Sequence, residues 1–400
     1  MKTITVLKNT IQEYAWGSYT AIPELLGQTP SGNPQAELWM GAHPKAPSLV
    51  EYEGRQVALP ELIERYPEEI LGKTAAKKFD KQLPYLFKIL AAAKPLSIQA
   101  HPGRHQAAEG FERENSLGIS LSAPNRNYKD ANHKPECLCA ITQFWGLKGF
   151  RKIPEIISLI NMIGAKELKR ELDILNSTQT PNDVLMWFLY SLMTLEADRK
   201  KQIITTAVAE SEKRLGERRA FRWVIDLYED YPEDIGILAP LFLNIVCLDP
   251  GQAIFLPSGE PHAYLDGLGI ELMANSDNVL RGGLTPKYID VPELMKVLKF
   301  EAIDVSIVLP KHISDTESIY PCDAEEFLLS VVTTGKKEAV FSVQSAQILL
   351  CVEGSAKVAF ANQSLSVKKG MSILVPAAVN QYKIKGSAIF YKASVPVQEN

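Results

Sequence analysis

The chain has 400 residues, 46% hydrophobic and 22% charged, with a formal net charge of −4. That length exceeds one ordinary hydrophobic core, so two or three domains are expected. The slightly acidic balance offers nucleic acid no basic face, and no charge-free stretch is long enough to span a membrane, so neither partner is expected.

Residues Met1 to Tyr14 carry Lys2, Lys8 and Glu13 without an unbroken apolar run, so no signal peptide is expected. Up to about residue 150, short strand-like runs alternate with turns rich in Gly and Pro, and scattered Trp and Tyr suit a barrel or sandwich interior. Leu83-Pro-Tyr-Leu-Phe-Lys-Ile-Leu and Pro95-Leu-Ser-Ile-Gln-Ala-His-Pro read as two of these strands. Arg104–Asn115 is polar and reads as a helix, and Cys137–Thr142 reads as a later strand with Cys137 and Cys139 on one face. The five cysteines form no CxxC pair, so buried, reduced thiols and a reducing, cytoplasmic compartment are expected.

From about 152 to 232 the apolar period lengthens to nearly four. Thr180-Pro-Asn-Asp predicts an N-cap with Pro at the first helical position, followed by Val184, Leu185, Phe188, Leu189 and Leu192 at helical spacing. Ile203, Ile204, Ala207 and Val208 mark a second helix, and Phe221, Val224, Ile225 and Tyr228 a third that ends near Pro232. Basic residues cluster over 199–222, but Glu210, Glu212, Glu217 and Asp226 are interleaved, which reads as a solvated face. The segment contains no histidine, so metal chemistry is not expected there.

After Pro240 the strand pattern returns with an internal repeat. Gly251-Gln-Ala-Ile-Phe-Leu-Pro257 matches Gly370-Met-Ser-Ile-Leu-Val-Pro376 in rhythm, and each leads into another strand. A Gly-turn, buried strand, Pro-turn, strand rhythm suits a jelly-roll barrel and resembles the second half of a cupin motif. The first copy continues into His262 and the second into Gln381, and residues 321–400 contain no histidine, so the second barrel is expected to be metal-free. Its runs Phe327–Thr333, Ile348–Val352 and Ile389–Ala393 are apolar enough for a core of their own.

The expected architecture is therefore mainly β, with tandem cupin-type barrels and an α-helical insertion. Residues 1–151 and 237–320 would form the catalytic barrel, 152–236 the helical domain and 321–400 the C-terminal barrel. In the first barrel, Gln99 and His101 fall at i and i+2 on a predicted strand, Glu136 at a strand entrance, and His262 after the Gly-to-Pro strand. Two imidazoles, a carboxylate and an amide oxygen suit zinc, although manganese, iron or cobalt accept the same set. His43 and His105 read as surface or structural residues, and His312 as an exposed one.

Several longer stretches, in order, carry a family resemblance. They are Tyr14-Ala-Trp-Gly, Ala36-Glu-Leu-Trp-Met-Gly-Ala-His-Pro, Pro95-Leu-Ser-Ile-Gln-Ala-His-Pro, Asn127-Tyr-Lys-Asp-Ala-Asn-His-Lys-Pro-Glu, Pro261-His-Ala-Tyr-Leu, and the run from Glu271 to Tyr288. Over its first three quarters the chain resembles the bacterial type I mannose-6-phosphate isomerases of the cupin superfamily. Ala100 and Gly282 depart from residues frequent in that family, at positions that are not ligands. The resemblance implies one zinc held by Gln99, His101, Glu136 and His262. It implies interconversion of mannose 6-phosphate and fructose 6-phosphate, serving mannose use and GDP-mannose supply.

Aldose–ketose isomerisation requires ring opening and proton transfer between C1 and C2 through an enediol. Lys134 is expected beside the metal as a base, with Asp277 and Glu271 as carboxylates that pair with it or take the proton, and His133 assisting ring opening. Arg281, before Gly282-Gly283, is an always-charged fork for the enediolate or the phosphate. Lys287, Ser97 and Trp16 are further candidates for contacts with the substrate, a small sugar phosphate, and a monomer is expected. Two rivals share the scaffold: a metal cupin oxygenase, and a non-catalytic sugar-binding cupin.

Overall fold

The computed structural model describes residues 1–396. Strand His262–Ala274 organises a ten-stranded sheet. Its later residues pair antiparallel with Tyr85–Ala92 on one side and Glu136–Ala140 on the other. Its earlier residues pair with Phe144–Phe150 and with the two-residue strand Gln99–Ala100. Every residue of Tyr85–Ala92 is buried, which is why that run is apolar on both faces, Lys88 excepted, rather than alternating. Gly267 permits the change of partners midway. Its φ is +126°, the register shifts between Tyr264 and Asp266, and a Cβ there would stand 2.7 Å from the Gln143 carbonyl oxygen.

A twelve-stranded sheet holds the C-terminal strands Leu328–Thr334, Gln347–Phe360, Ser372–Val375 and Ala388–Ser394. It also takes in Thr5–Lys8, Leu49–Tyr52 and Arg55–Ala58 from the start of the chain. This differs from the expectation that all of 1–151 serves the first barrel. Thr5 and Val6 pair with Leu374 and Ile373, and so fill the ladder groups along an edge of Ser372–Val375 that would otherwise be open. Between the two sheets lies a shared apolar core, in which Tyr85, Phe87, Ile270 and Leu272 belong with Phe327, Ile348, Leu374 and Tyr391. A separate core around Val332, Phe341, Leu349, Val358 and Phe390 belongs mainly to the C-terminal strands, as their apolar runs predict.

The helices fall where the period lengthens: Ile153–Ile163, Lys169–Leu175, Pro181–Met193, Ala197–Lys213 and Arg219–Asp230. Thr180 Oγ1 accepts the Asp183 amide at 3.3 Å, with Pro181 next to it, as the N-cap pattern predicts. Their apolar faces pack in one cluster with Ile98, Ala100, Leu147, Leu280 and Leu294, so the helical block backs the strands that carry Gln99 and Arg281. Arg104–Ser116 is the predicted polar helix, and its Gly103 amide donates to Gln106 Oε1 at 2.9 Å. Regular pairing in the run from Pro95 to Pro102 is confined to Gln99–Ala100, because the two prolines have no N–H to give. All five cysteines are free thiols, and burial raises the pKa of Cys137 and Cys139 above the ordinary thiol value. Among the described residues no helix is long and apolar enough to cross a membrane.

The hydroxyl of Tyr85 joins the two sheets by donating to the Ala346 carbonyl at 3.1 Å, with the Ala393 carbonyl 3.3 Å away. Tyr85→Phe is expected to cost about 1–2 kcal/mol. Thermal unfolding should show a lower Tm at unchanged turnover, and an unchanged Tm would mean that this contact contributes no cohesion between the sheets.

Candidate metal centre

His101 directly follows Gln99–Ala100, Glu136 opens Glu136–Ala140, and His262 opens the organising strand. Register brings them together: His262 stands opposite Gln99 and Lys148, and Met273 opposite Glu136. One ligand atom from each of His101, Glu136 and His262 lies within 4.8 Å of the others, and all three residues are buried. His101 Nε2 is 3.3 Å from Glu136 Oε1, and His262 Nε2 is 3.4 Å from Glu136 Oε2. Tetrahedral coordination with bonds of about 2.0–2.1 Å places neighbouring donor atoms about 3.3 Å apart, so the spacing fits a zinc-sized ion.

The backbone aims both rings. His101 Nδ1 donates to the Asn278 carbonyl at 2.7 Å, and His262 Nδ1 donates to the Glu260 carbonyl at 2.9 Å. With Nδ1 occupied, Nε2 is left as the lone pair on each ring. His101 Nε2 is buried without a hydrogen-bond partner, a costly state that a metal ion would relieve. Burial lowers the His101 pKa to about 4, against the opposing pull of Glu136, so the ring is neutral and able to ligate at pH 7. Gln99 donates its amide N–H to Ser97 Oγ at 3.3 Å, which leaves its amide oxygen as the donor atom for a fourth position.

Around Glu136 runs a buried chain of charges. Lys134 Nζ lies 3.2 Å from Glu136 Oε1. Burial pushes the Glu136 carboxyl up, but Lys134 and the two imidazoles outweigh it and hold it well below the ordinary value. Tyr264 lies between Glu136 and Glu271, donating to Glu271 Oε1 at 3.0 Å. Glu271 accepts from Lys88 at 2.8 Å; Lys88 also approaches Glu37 at 3.6 Å and lies over the Trp39 ring. Burial would lower the Lys88 pKa, but Glu271 and Glu37 raise it above the ordinary lysine range, so Lys88 is a fixed cation. Sequence reasoning missed Lys88, Tyr264 and Glu37. The signal was there: a lysine inside Leu86-Phe-Lys-Ile is a charge in a buried strand, and Tyr264 shares a face with His262 at period two.

The other expected residues divide. Arg281 stands opposite Gln99 in Leu280–Arg281, half-buried, with no ion-pair partner among the described residues. Burial lowers its pKa, and burial together with Arg281 lowers that of the more exposed Lys287. Ser97 touches Gln99, while Trp16 is half-buried beside Tyr14, at 5.8 Å between ring centres. Glu271 was expected to pair with Lys134 or to take the proton; strand register sets it opposite Lys88, with which it is paired. Asp277 was given the same expectation, but it is ion-paired with Lys45 at 2.7 Å and His43 at 3.4 Å. Those two partners overcome the upward push of burial and hold Asp277 below the usual carboxylate range. His43 is accordingly buried and structural, while His105 and His312 are exposed, as expected. His133 was expected at ring opening; its Nε2 lies 2.8 Å from Glu326 Oε1, the same oxygen that accepts from Arg104 at 2.7 Å, and 3.0 Å from the Arg104 guanidinium.

Residues 4–153 match the family described as phosphomannose isomerase type I, catalytic domain, and residues 316–393 match the mannose-6-phosphate isomerase cupin domain. The chain is 42% identical over 384 residues to the mannose-6-phosphate isomerase of Escherichia coli (strain K12), covering 95% of this chain and 96% of that protein. With the Homo sapiens mannose-6-phosphate isomerase the identity is 33% over 385 residues, covering 87% of each. A crystal structure of mannose 6-phosphate isomerase with zinc bound superimposes with a TM-score of 0.91 at 38% identity, over 98% of this chain and all of the other. The Salmonella typhimurium enzyme bound to its substrate and a zinc atom gives the same values.

Two outcomes are expected. His101→Ala or His262→Ala should lose the bound metal, read by elemental analysis of the purified protein; full occupancy in either variant would refute this ligand set. Asn278 is wholly buried, and its side chain ties the segment before Glu136 to the loop before Arg281, through Asp130, Lys129 and Asn132. Asn278→Ala should therefore loosen the carbonyl that aims His101 and weaken zinc binding about 10–100-fold, measured by chelator competition.

Proposed function

This chain belongs to the type I phosphomannose isomerase family, and from that premise we propose that it interconverts mannose 6-phosphate and fructose 6-phosphate through an enediol intermediate. Its cofactor is zinc, for which His101, Glu136, His262 and Gln99 are the ligands proposed. The observation that carries this reading is the pair of imidazoles turned by backbone carbonyls so that both Nε2 atoms face one carboxylate. When bound, the ion supplies Lewis-acid polarisation and stabilises negative charge on substrate oxygen.

The protein's own groups supply the rest. Lys134 is the candidate base. It is buried with its Nζ 3.2 Å from Glu136 Oε1, which sets the amine beside the proposed ligands. Lys88, fixed as a cation between two carboxylates, contributes positive potential rather than a proton-accepting lone pair. Arg281 stands beside the ligand strand with an uncompensated, partly desolvated charge, and an anion is the partner it lacks. The phosphate is assigned to Arg281 and Lys287 with Ser97 near them, and Trp16 lines the approach. His133, in contact with Glu326, and Asp277, ion-paired with Lys45, hold loops in position.

The chain is further proposed to act in the cytoplasm as a monomer, feeding GDP-mannose supply, with no nucleic-acid or membrane partner. Its proposed division is a catalytic barrel over 1–151 and 237–320, less the three N-terminal strands that join the other sheet. The helical domain is 152–236, and the metal-free barrel is 321–400.

A coupled assay for fructose 6-phosphate with and without a chelator tests the reading. Turnover should vanish with the metal and return on adding zinc; activity that survives full metal removal would overturn it. Arg281→Ala should keep the wild-type Tm and lose about 100-fold or more in kcat/KM. A rate near wild type would remove Arg281 from the mechanism.

A further inference from the structure

The basic run before Trp223 read as a solvated face because acids are interleaved with it. That holds for Arg222, paired with Asp226 at 2.8 Å, and for Arg214, paired with Glu217 at 3.2 Å. Arg218 and Arg219 have no ion-pair partner among the described residues. They sit at the start of helix Arg219–Asp230, whose first turn holds no acid and whose N-terminal amides have no side-chain cap.

Both arginines border a cavity of about 380 Å³ between this helix and the strands Phe144–Phe150 and Leu243–Leu248. Arg151 borders it from the opposite side, and no carboxylate is among the lining residues. Arg151 is an independent sign of a missing partner. It is largely buried, with its Nε–H donating to the Pro240 carbonyl at 3.2 Å, and its one ion-pair contact is Glu155 at a loose 3.6 Å. Glu155 is itself more than half exposed, so it compensates little of that charge. Burial accordingly pulls the Arg151 pKa below the ordinary arginine value. Three guanidiniums therefore border one cavity with Glu155 as the single carboxylate paired to any of them among the described residues, and an anion would answer the remaining charge.

The remaining wall is apolar and aromatic. Arg219 lies 4.8 Å over the Trp145 ring, which packs against Trp223, and Leu159, Ala220, Ile245 and the Cys247 thiol complete the lining. The volume falls within the range of small-molecule sites, roughly 300–1,000 Å³, and exceeds what one phosphate group fills. Guanidinium forks and free helix amides match the oxygens of a phosphate. We propose that the cavity between Arg151, Arg218 and Arg219 binds the phosphate group of a small phosphorylated molecule, at a site separate from the metal centre.

The test is equilibrium dialysis of the zinc-loaded enzyme against labelled inorganic phosphate, comparing wild type with Arg218→Gln/Arg219→Gln. The double variant should hold one phosphate fewer per chain, or bind that phosphate about tenfold or more weakly, while kcat/KM for fructose 6-phosphate stays unchanged. Because both residues are exposed, the variant should keep its Tm. Arg151→Gln, checked for an unchanged Tm, should weaken the same phosphate. Phosphate binding identical in wild type and all variants would overturn the proposal. Competition then identifies the source of the phosphate: displacement by a nucleoside diphosphate points to a nucleotide, and displacement by glucose 6-phosphate to a sugar phosphate. Displacement by neither would overturn the assignment to a phosphorylated molecule.

Discussion

Two hydrogen bonds from imidazole to backbone govern the rest of the site. His101 Nδ1 is committed to the Asn278 carbonyl and His262 Nδ1 to that of Glu260, so each ring can present only Nε2 to the interior. Without those carbonyls the rings would be free to turn, and Glu136 would lie among uncoordinated donors. With them, a buried nitrogen without a partner persists at His101, and the protein tolerates it because a cation is the group that completes it. Asn278 therefore has a structural weight that its place in a loop does not suggest. Its side chain gathers one segment while its carbonyl aims the His101 ring on another.

The second constraint is charge burial. Lys134, Glu136, Glu271, Lys88 and Glu37 are all buried within one connected group, with Tyr264 between two of the carboxylates. Each charge is tolerable only because the next one faces it, so the group must be treated as a unit. Register enforces this: Glu271 stands across from Lys88, and Trp39 stands across from Lys88 on the other side. The same logic distinguishes Arg281, which has no ion-pair partner among the described residues, from Asp277, whose charge Lys45 answers. The arginines around Trp145 repeat the pattern of Arg281 at a second place in the molecule.

The architecture serves the site through its backing. The helical block packs on Ile98, Ala100 and Leu280, the apolar neighbours of Gln99 and Arg281, and so fixes the strands from behind without contributing a ligand. The C-terminal sheet shares a core with the strands bearing Lys88, Glu136 and Glu271. The N-terminal strand Thr5–Lys8 ties the two ends of the chain together.

Periodicity and punctuation in the sequence determined the local elements: the helix capped at Thr180, the apolar strand through Lys88, the repeat that ends in Pro257 and Pro376. They also marked the candidate donors, because His101, Glu136 and His262 occupy strand entrances and exits. What periodicity cannot carry is pairing between distant segments, since a strand's pattern specifies its buried face but not its neighbour. Only the tertiary structure decided that Glu271 meets Lys88 rather than Lys134, that Glu326 takes His133, and that the first strand completes the last sheet. Those outcomes depend on long-range register and on which buried charge must be neutralised, and both come into being only when the chain has closed on itself.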